Sequence, residues 1–340
     1  MTSNLSELAA TANSLVAPAK GILAADESTG TIAKRLESIN VENTESARRT
    51  YREMLFRTEG AADYVSGVIL FDETLRQTAA DETPMVNLLT DQGIIPGIKV
   101  DAGAKSLAGG SSGELVTEGL DGLRERLFEY RQIGARFAKW RAVITIGNAS
   151  PTSACIDVNA HALARYAALC QEAGLVPIVE PEVLMEGGHS IETAEEVTEA
   201  TLREVFRQLS IQNVNPEGML LKPNMVVSGY DQLNRARATE VAERTVRAFL
   251  HTVPASMPGI VFLSGGQNDE DAIVNLQAIA KRGVAMRAPW ELSYSYGRGL
   301  QAAPLKAWGG KPENVPAAQA AFLERCRLTS AARSGAYAVT

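Results

Sequence analysis

Eight times along this chain a glycine is followed by a short apolar run and then by polar or charged residues. The first four phrases are GILAADEST from Gly21, GVILFDET from Gly67, GIIPGIKVD from Gly93 and GARFAKWR from Gly134. They continue as GLVPIVEPE from Gly174, GMLLKPN from Gly218, GIVFLSGGQ from Gly259 and GVAMRAPWELSYSYGR from Gly283. Near-continuous Val, Ile and Leu runs predict strands buried on both faces, as in a parallel sheet covered by helices. The glycines suit the turns that lead from a helix into the next strand.

Between the phrases lie segments with helical period. In LDGLRERLFEYRQIG, Leu120, Leu123, Leu127 and Tyr130 share one face and Gly134 follows as a stop. Similar segments run over 152–173, 193–209, 233–250 and 269–282. Strand and helix alternating eight times predict an α/β fold, a TIM (β/α)8 barrel, with a doubly wound open sheet as the weaker alternative. The expected organisation is a single domain over residues 1–340, with a short N-terminal helical extension and a C-terminal helix and tail. Pro96 and Pro177 count against the third and fifth strands unless they lie near strand starts, because proline donates no ladder hydrogen bond.

Composition narrows the class. The chain has 340 residues, 45% hydrophobic and 21% charged, which fits a globular protein with a sizeable core. A net charge of −7 and a pI near 5.3 argue against a general nucleic-acid or anionic-membrane binder, while leaving room for a compact basic pocket. Cys155, Cys170 and Cys326 are an odd count without CxxC spacing and read as reduced core thiols. The opening residues lack a basic stretch followed by an uninterrupted apolar one, and no window is long enough to span a bilayer, so a cytoplasmic protein is expected.

The chemistry gathers where the strands end, which in barrel enzymes is the catalytic face. Strand one ends in Asp26, strand three in Lys99 and Asp101, strand four in Lys139 and Arg141, and strand five in Glu180 and Glu182. Strand six ends in Lys222, strand seven in Ser264, Gly265 and Gly266, and strand eight in Ser295, Gly297 and Arg298. A single lysine there is most simply a solvated side chain. The set is different: Lys139 with Arg141, and Glu180 with Glu182, are spaced two apart and so face one side of their strands, the barrel interior. Inward charges in such number are costly unless paired and used.

A solvated lysine, with a pKa of about 10.4, must lose its proton before it can attack a carbonyl. Lys139 and a low-dielectric wall are expected to favour neutral Lys222. The two nearby glutamates are expected to hinder one another's ionisation, so that one can carry protons both ways. SGGQ and SYGR suit a phosphate: paired glycines let backbone N–H groups approach, and Arg298 offers a fork of donors. DESTGTIAKR supplies Ser28, Thr31, Lys34 and Arg35 at a predicted helix N-terminus, a second anion site expected on the far side of the mouth. Two anion sites flanking a lysine suggest a bisphosphate.

His161, His189 and His251 have neither HxxE nor HxH spacing, which argues against a zinc-dependent lyase. His161 reads as a structural helix residue and His189 as a loop residue. No Walker loop or GxGxxG appears, so no nucleotide cofactor is expected.

As an ordered set, ILAADESTGTIAKRL, GVILF, GIKVD, FAKWR, VPIVEPE, LLKPN, FLSGGQ, SYGRGLQ and LKAWGGK closely resemble class I fructose-1,6-bisphosphate aldolases of the animal and plant type. The resemblance runs from about Leu15 to Tyr337, and the joint set is far more specific than any one motif. It implies a metal-independent carbon–carbon lyase of glycolysis and gluconeogenesis, without cofactor, acting on sugar phosphates and usually homotetrameric. By the same resemblance Lys222 matches the Schiff-base lysine, Glu180 the acid/base residue, and Asp26 and Lys139 its companions. Glu182 and Arg141 match a further carboxylate and a substrate-contacting arginine. Ser264, Gly265, Ser295, Gly297 and Arg298 match the C1-phosphate site, beside which Gly266 is a candidate from the SGGQ turn alone, and Ser28, Thr31, Lys34, Arg35, Arg48 and Lys99 match the C6-phosphate side.

Two departures stand out. Animal members usually carry serine where Thr31 stands, so a hydroxyl is retained. Animal and plant members also have a longer mobile tail ending in a tyrosine associated with proton exchange at C3 of the enamine; Tyr337 matches an earlier family position and is not expected to do this. Another imine-forming barrel aldolase for a different phosphorylated sugar, or a non-catalytic binding scaffold, are the alternative readings.

Overall fold

A computed structural model describes residues 2–338. Its eight parallel strands close into a barrel in chain order: β1 (Gly21–Ala25), β2 (Val65–Leu70), β3 (Ile95–Lys99), β4 (Phe137–Ile144), β5 (Val176–Val183), β6 (Leu220–Leu221), β7 (Gly259–Phe262) and β8 (Glu291–Tyr296). Closure is made by β1 against β8, with Ile22 opposite Ser295 and Leu23 opposite Tyr296, which excludes the open sheet.

Period-two alternation sorts the strand residues between two cores. Outward residues such as Leu23, Val68, Ile98, Trp140, Val179 and Phe262 pack under the surrounding helices. Inward residues Ile22, Ala24, Ile69, Phe137, Val176, Ile178, Leu220 and Val261 fill one end of the barrel, where Leu8, Ala12 and Leu15 of helix Thr2–Leu15 plug the floor. Phe137 lies so close to β3 that a Cβ on Gly97 would stand 2.3 Å from its ring, so only glycine fits there.

Several boundaries depart from the sequence reading. Gly283 lies inside helix Asp269–Ala285, and β8 begins only at Glu291, because the helical period runs on through that glycine. The helix expected from Leu233 begins at Ala238, leaving Leu233 96% exposed in a loop. β4 and β5 have eight residues each, so Lys139 and Glu180 lie within them and not at their ends. β6 stops after two residues because Pro223, following Lys222, has no N–H for the ladder. Pro96 and Pro177 each occupy the second position of their strand, where the missing donor is tolerated.

An antiparallel hairpin, Gly103–Ser106 with Leu115–Glu118, interrupts the alternation between β3 and β4. Thr117 ties it to the barrel by donating its hydroxyl to the Arg141 carbonyl at 2.8 Å. At the other end of the molecule, Arg333 of helix Val315–Arg333 donates to the carbonyls of Val16, Ala17 and Lys20, fastening the C-terminal helix to the chain that enters β1. Cys155, Cys170 and Cys326 are buried and unpaired. No helix among the described residues is long and apolar enough to cross a membrane.

Candidate active site

Above the apolar floor the inward positions become charged. Lys222 stands two residues beyond Leu220, Lys139 two beyond Phe137, and Glu180 two beyond Ile178, so alternation places all three in the next layer up. Each is only 4% exposed. Although the β6 ladder has ended, the Lys222 N–H still donates to the Val179 carbonyl at 2.8 Å, which fixes the residue against β5.

The charged groups form one connected cluster. Nζ of Lys222 is 3.3 Å from Oε1 of Glu180, and Nζ of Lys139 is 3.5 Å from Oε2 of the same carboxylate. Lys139 also lies 2.8 Å from Asp26 and 3.8 Å from Asp101, while Lys99 sits 2.6 Å from the other Asp101 oxygen. Three lysines therefore interleave with three carboxylates. Lys139 thus has three acidic neighbours of its own, Asp26, Asp101 and Glu180.

These contacts set the protonation states. Burial alone would push Asp26 up, but Lys139, Lys222 and Lys99 together hold it down at about 2. Lys139 is displaced upward: burial opposes its charge, and Asp26, Glu180 and Asp101 outweigh that opposition. Glu182 is raised above the ordinary carboxylate range chiefly by burial, against the pull of Arg141, with which it is paired; repulsion from Glu180 adds less. The expected mutual hindrance of the two glutamates is thus a minor contribution. Oε2 of Glu180, on the Lys139 side, is buried without a hydrogen-bond partner among the described residues.

The anion-binding candidates cluster on neighbouring strands. Ser264 to Gln267 form a tight turn after β7, with the Gln267 N–H donating to the Ser264 carbonyl at 3.0 Å and positive φ at Gly265 (+56°) and Gly266 (+87°). The Arg298 guanidinium reaches within 3.1 Å of where a Cβ on Gly266 would be, so turn and arginine face one space. Ser295 is buried with its Oγ unpartnered among the described residues, and Gly297 precedes helix Arg298–Trp308.

The Ser28 segment is not on the far side of the mouth. β1 pairs with β8, so Ser28, Thr31, Lys34 and Arg35 flank the SYGR turn. Ser28 occupies the N-cap position of helix Thr29–Glu37 without a side-chain capping hydrogen bond, its Oγ 3.1 Å from the Thr31 hydroxyl. Arg35 pairs with Glu27 and lies 3.8 Å from the position of a Gly297 Cβ, which joins it to the strand-eight set. Lys99 and Arg141 stand across the barrel on β3 and β4. Arg48 is withdrawn: Glu73 takes its Nε and Nη2 at 2.8 and 2.5 Å and Asn43 its Nη1 at 3.0 Å, so its guanidinium is spoken for.

Three residues that matter to this geometry went unassigned from sequence. Asp101 was visible at a strand end, and its spacing from Lys99 was the available signal. Glu27, adjacent to Asp26 and therefore facing away from it, binds Arg35 and Gln301; that alternation could have suggested a supporting role. Tyr230, whose hydroxyl donates to the Gly265 carbonyl at 2.5 Å, had no local signal.

Comparisons with known proteins identify the family. A family model described as fructose-bisphosphate aldolase class-I matches residues 7–340. A relative from Xanthomonas campestris pv. campestris, named probable fructose-bisphosphate aldolase class 1, is 56% identical over 333 residues, covering 98% of each chain. Cytosolic fructose-bisphosphate aldolase 4 of Arabidopsis thaliana is 54% identical, over 97% of this chain and 84% of that one. Among solved structures, fructose-bisphosphate aldolase from Plasmodium falciparum, crystallised with TRAP and a small molecule inhibitor, is similar with a TM-score of 0.97 and 49% identity, covering 100% of this chain and 97% of that one. With such similarity along the whole length and a buried lysine–carboxylate cluster in the barrel mouth, the chain belongs to the class I fructose-bisphosphate aldolase family.

Proposed function

We propose that this protein reversibly cleaves fructose 1,6-bisphosphate to dihydroxyacetone phosphate and glyceraldehyde 3-phosphate through an imine on Lys222. The observation that carries the reading is the buried contact of Lys222 with Glu180, 3.3 Å apart, backed by Lys139 on the other carboxylate oxygen. Lys222 passes a proton to Glu180 and attacks the C2 ketone of the open-chain sugar. Glu180 returns the proton to the departing hydroxyl, water leaves, and a protonated imine remains. Glu180 then takes the proton of the C4 hydroxyl; the C3–C4 electron pair moves toward the iminium nitrogen, glyceraldehyde 3-phosphate departs, and an enamine stays on Lys222.

Protonation at C3 and hydrolysis of the imine release dihydroxyacetone phosphate and restore the lysine. Asp26, held at about 2, is a weak base, and a better role for it is to keep Lys139 in place and to face the iminium with a fixed negative charge. Glu182 braces Arg141 beside the substrate. Ser264, Gly265, Gly266, Ser295, Gly297 and Arg298 orient the C1 phosphate; the family resemblance assigns Ser28, Thr31, Lys34, Arg35 and Lys99 to the C6 phosphate, of which the first four flank the C1 set and Lys99 stands across the barrel, and all contribute by position and not by chemistry. No metal or organic cofactor takes part in this scheme.

Borohydride reduction with dihydroxyacetone phosphate, followed by peptide mapping, tests the assignment. The expected adduct is on Lys222; an adduct on Lys139 or Lys99, or none, overturns it. Family membership further supports a homotetramer acting in cytoplasmic glycolysis and gluconeogenesis; sedimentation equilibrium at a monomer mass would remove the tetramer from that reading.

A further inference from the structure

The loop after β6 and the loop after β5 are laced together by main-chain hydrogen bonds. Gly229 donates to the His189 carbonyl at 2.9 Å, Tyr230 to Met185 at 3.0 Å, and Asp231 to Gly187 at 2.9 Å. Crossing is so close that a Cβ on Gly229 would stand 2.1 Å from the Gly187 oxygen. Tyr230 is thereby fixed, half-buried, with the Arg235 guanidinium 5.4 Å from its ring centre. Its hydroxyl extends to the turn after β7 and donates to the Gly265 carbonyl at 2.5 Å, with Met185 Sδ at 3.4 Å. Burial, with Glu186 nearby, pushes that hydroxyl up to about 12, so it remains a donor through the neutral range.

That carbonyl belongs to the central peptide of the Ser264–Gln267 turn. Positive φ at both central residues makes it a type I′ turn, and rotation of its middle peptide would give type II′ with carbonyl and N–H exchanged. Two glycines put little steric resistance in the way of that rotation. The peptide is planar and trans, so pinning the Gly265 oxygen on one side sends the Gly266 N–H to the other. Among the described residues neither the Gly265 nor the Gly266 N–H has a protein acceptor.

The geometry points to Tyr230 as a positioning residue: by holding the Gly265 carbonyl it locks the turn in the form that offers its glycine N–H groups to the C1 phosphate. The assignment rests on the reading of this turn as the C1-phosphate site. Dihydroxyacetone phosphate carries that phosphate and glyceraldehyde 3-phosphate does not, which separates positioning from a general loss of structure.

The test is Tyr230→Phe, which keeps the ring, assayed in the condensation direction. The KM for dihydroxyacetone phosphate is expected to rise about three- to tenfold, the loss of one hydrogen bond, with kcat and the KM for glyceraldehyde 3-phosphate within about twofold of the parent. An unchanged KM for dihydroxyacetone phosphate, or a parallel rise for both substrates, overturns the assignment. Ser264→Ala and Arg298→Met separate the two layers: if they too leave that KM unchanged, the phosphate does not sit here and the site reading itself falls. Should Tyr230→Phe not fold, selective ¹⁵N-glycine labelling of the wild-type enzyme decides. The Gly266 amide must shift on saturation with dihydroxyacetone phosphate, and a stationary resonance overturns the proposal even if Ser264→Ala weakens binding.

Discussion

Glu180 and Lys222 meet across the β5–β6 pair, Oε1 of the carboxylate 3.3 Å from the amine. The other oxygen, Oε2, has no hydrogen-bond partner among the described residues and lies 3.5 Å from Lys139. Glu180→Gln keeps the shape and removes the proton acceptor. Its kcat is expected to fall about 10²- to 10⁴-fold, the usual range for a general acid or base. Borohydride trapping on a quench-flow time scale should show slow formation of the Lys222 adduct. Imine formation at the parent rate would move the proton-carrying role elsewhere, with Glu182 the nearest candidate on the same face of the strand.

Lys139 is the cation that Asp26, Asp101 and Glu180 share. Removing one partner of a buried ion pair leaves uncompensated charge and typically costs about 3–5 kcal/mol. Lys139→Met should therefore be destabilised on that order in urea unfolding, besides losing activity, whereas Lys222→Met removes a group with a single acidic contact and should unfold close to the parent. Equal stabilities for the two variants would contradict the network.

Asp26 supplies a pH signature. Its folded value of about 2 lies below the ordinary 3.8, so its ionised form stabilises the fold. That contribution is complete above pH 3.8 and is lost as pH falls toward 2, amounting to roughly 2 kcal/mol when fully expressed. Urea unfolding of the parent and Asp26→Asn at pH 5.5 and pH 2.5 should show the gap between them narrowing at the acid end. A gap that widens as pH falls would mean that Asp26 is held protonated and cannot anchor Lys139.

The strands were legible because parallel strands buried on both faces leave apolar runs that few other elements leave, and the inward direction of Lys139 and Glu180 followed from spacing alone. What local pattern cannot carry is the closure of the ring. That β1 neighbours β8, and so places Ser28 and Arg35 beside Gly297, is a relation between residues some 260 positions apart. Partner choice is equally silent: whether Arg48 meets a phosphate or Glu73, and whether Tyr230 meets water or Gly265, depends on loop paths that hydrophobic period does not encode.

Arg48 and Arg298 both matched phosphate-side positions, and the structure separates them. Arg48 forms a two-point fork with Glu73, further held by Asn43, so its charge stabilises helix Glu45–Phe56 against the segment after β2. Arg298 opens a helix beside the Ser264–Gln267 turn and has no ion-pair partner among the described residues. Hydrogen bonds to charged groups contribute about 1.5–3 kcal/mol, so Arg298→Met should raise the KM for fructose 1,6-bisphosphate roughly 10- to 100-fold with little change in melting temperature. Arg48→Met should do the opposite: a stability loss of about 1–3 kcal/mol, because Glu73 keeps only the more distant Arg52 at 3.9 Å, with KM within about twofold. Steady-state kinetics and thermal melts on the two variants check this together. A large KM effect at Arg48 would mean that substrate draws it away from Glu73, and that the ion pair stores an arginine for the C6 phosphate.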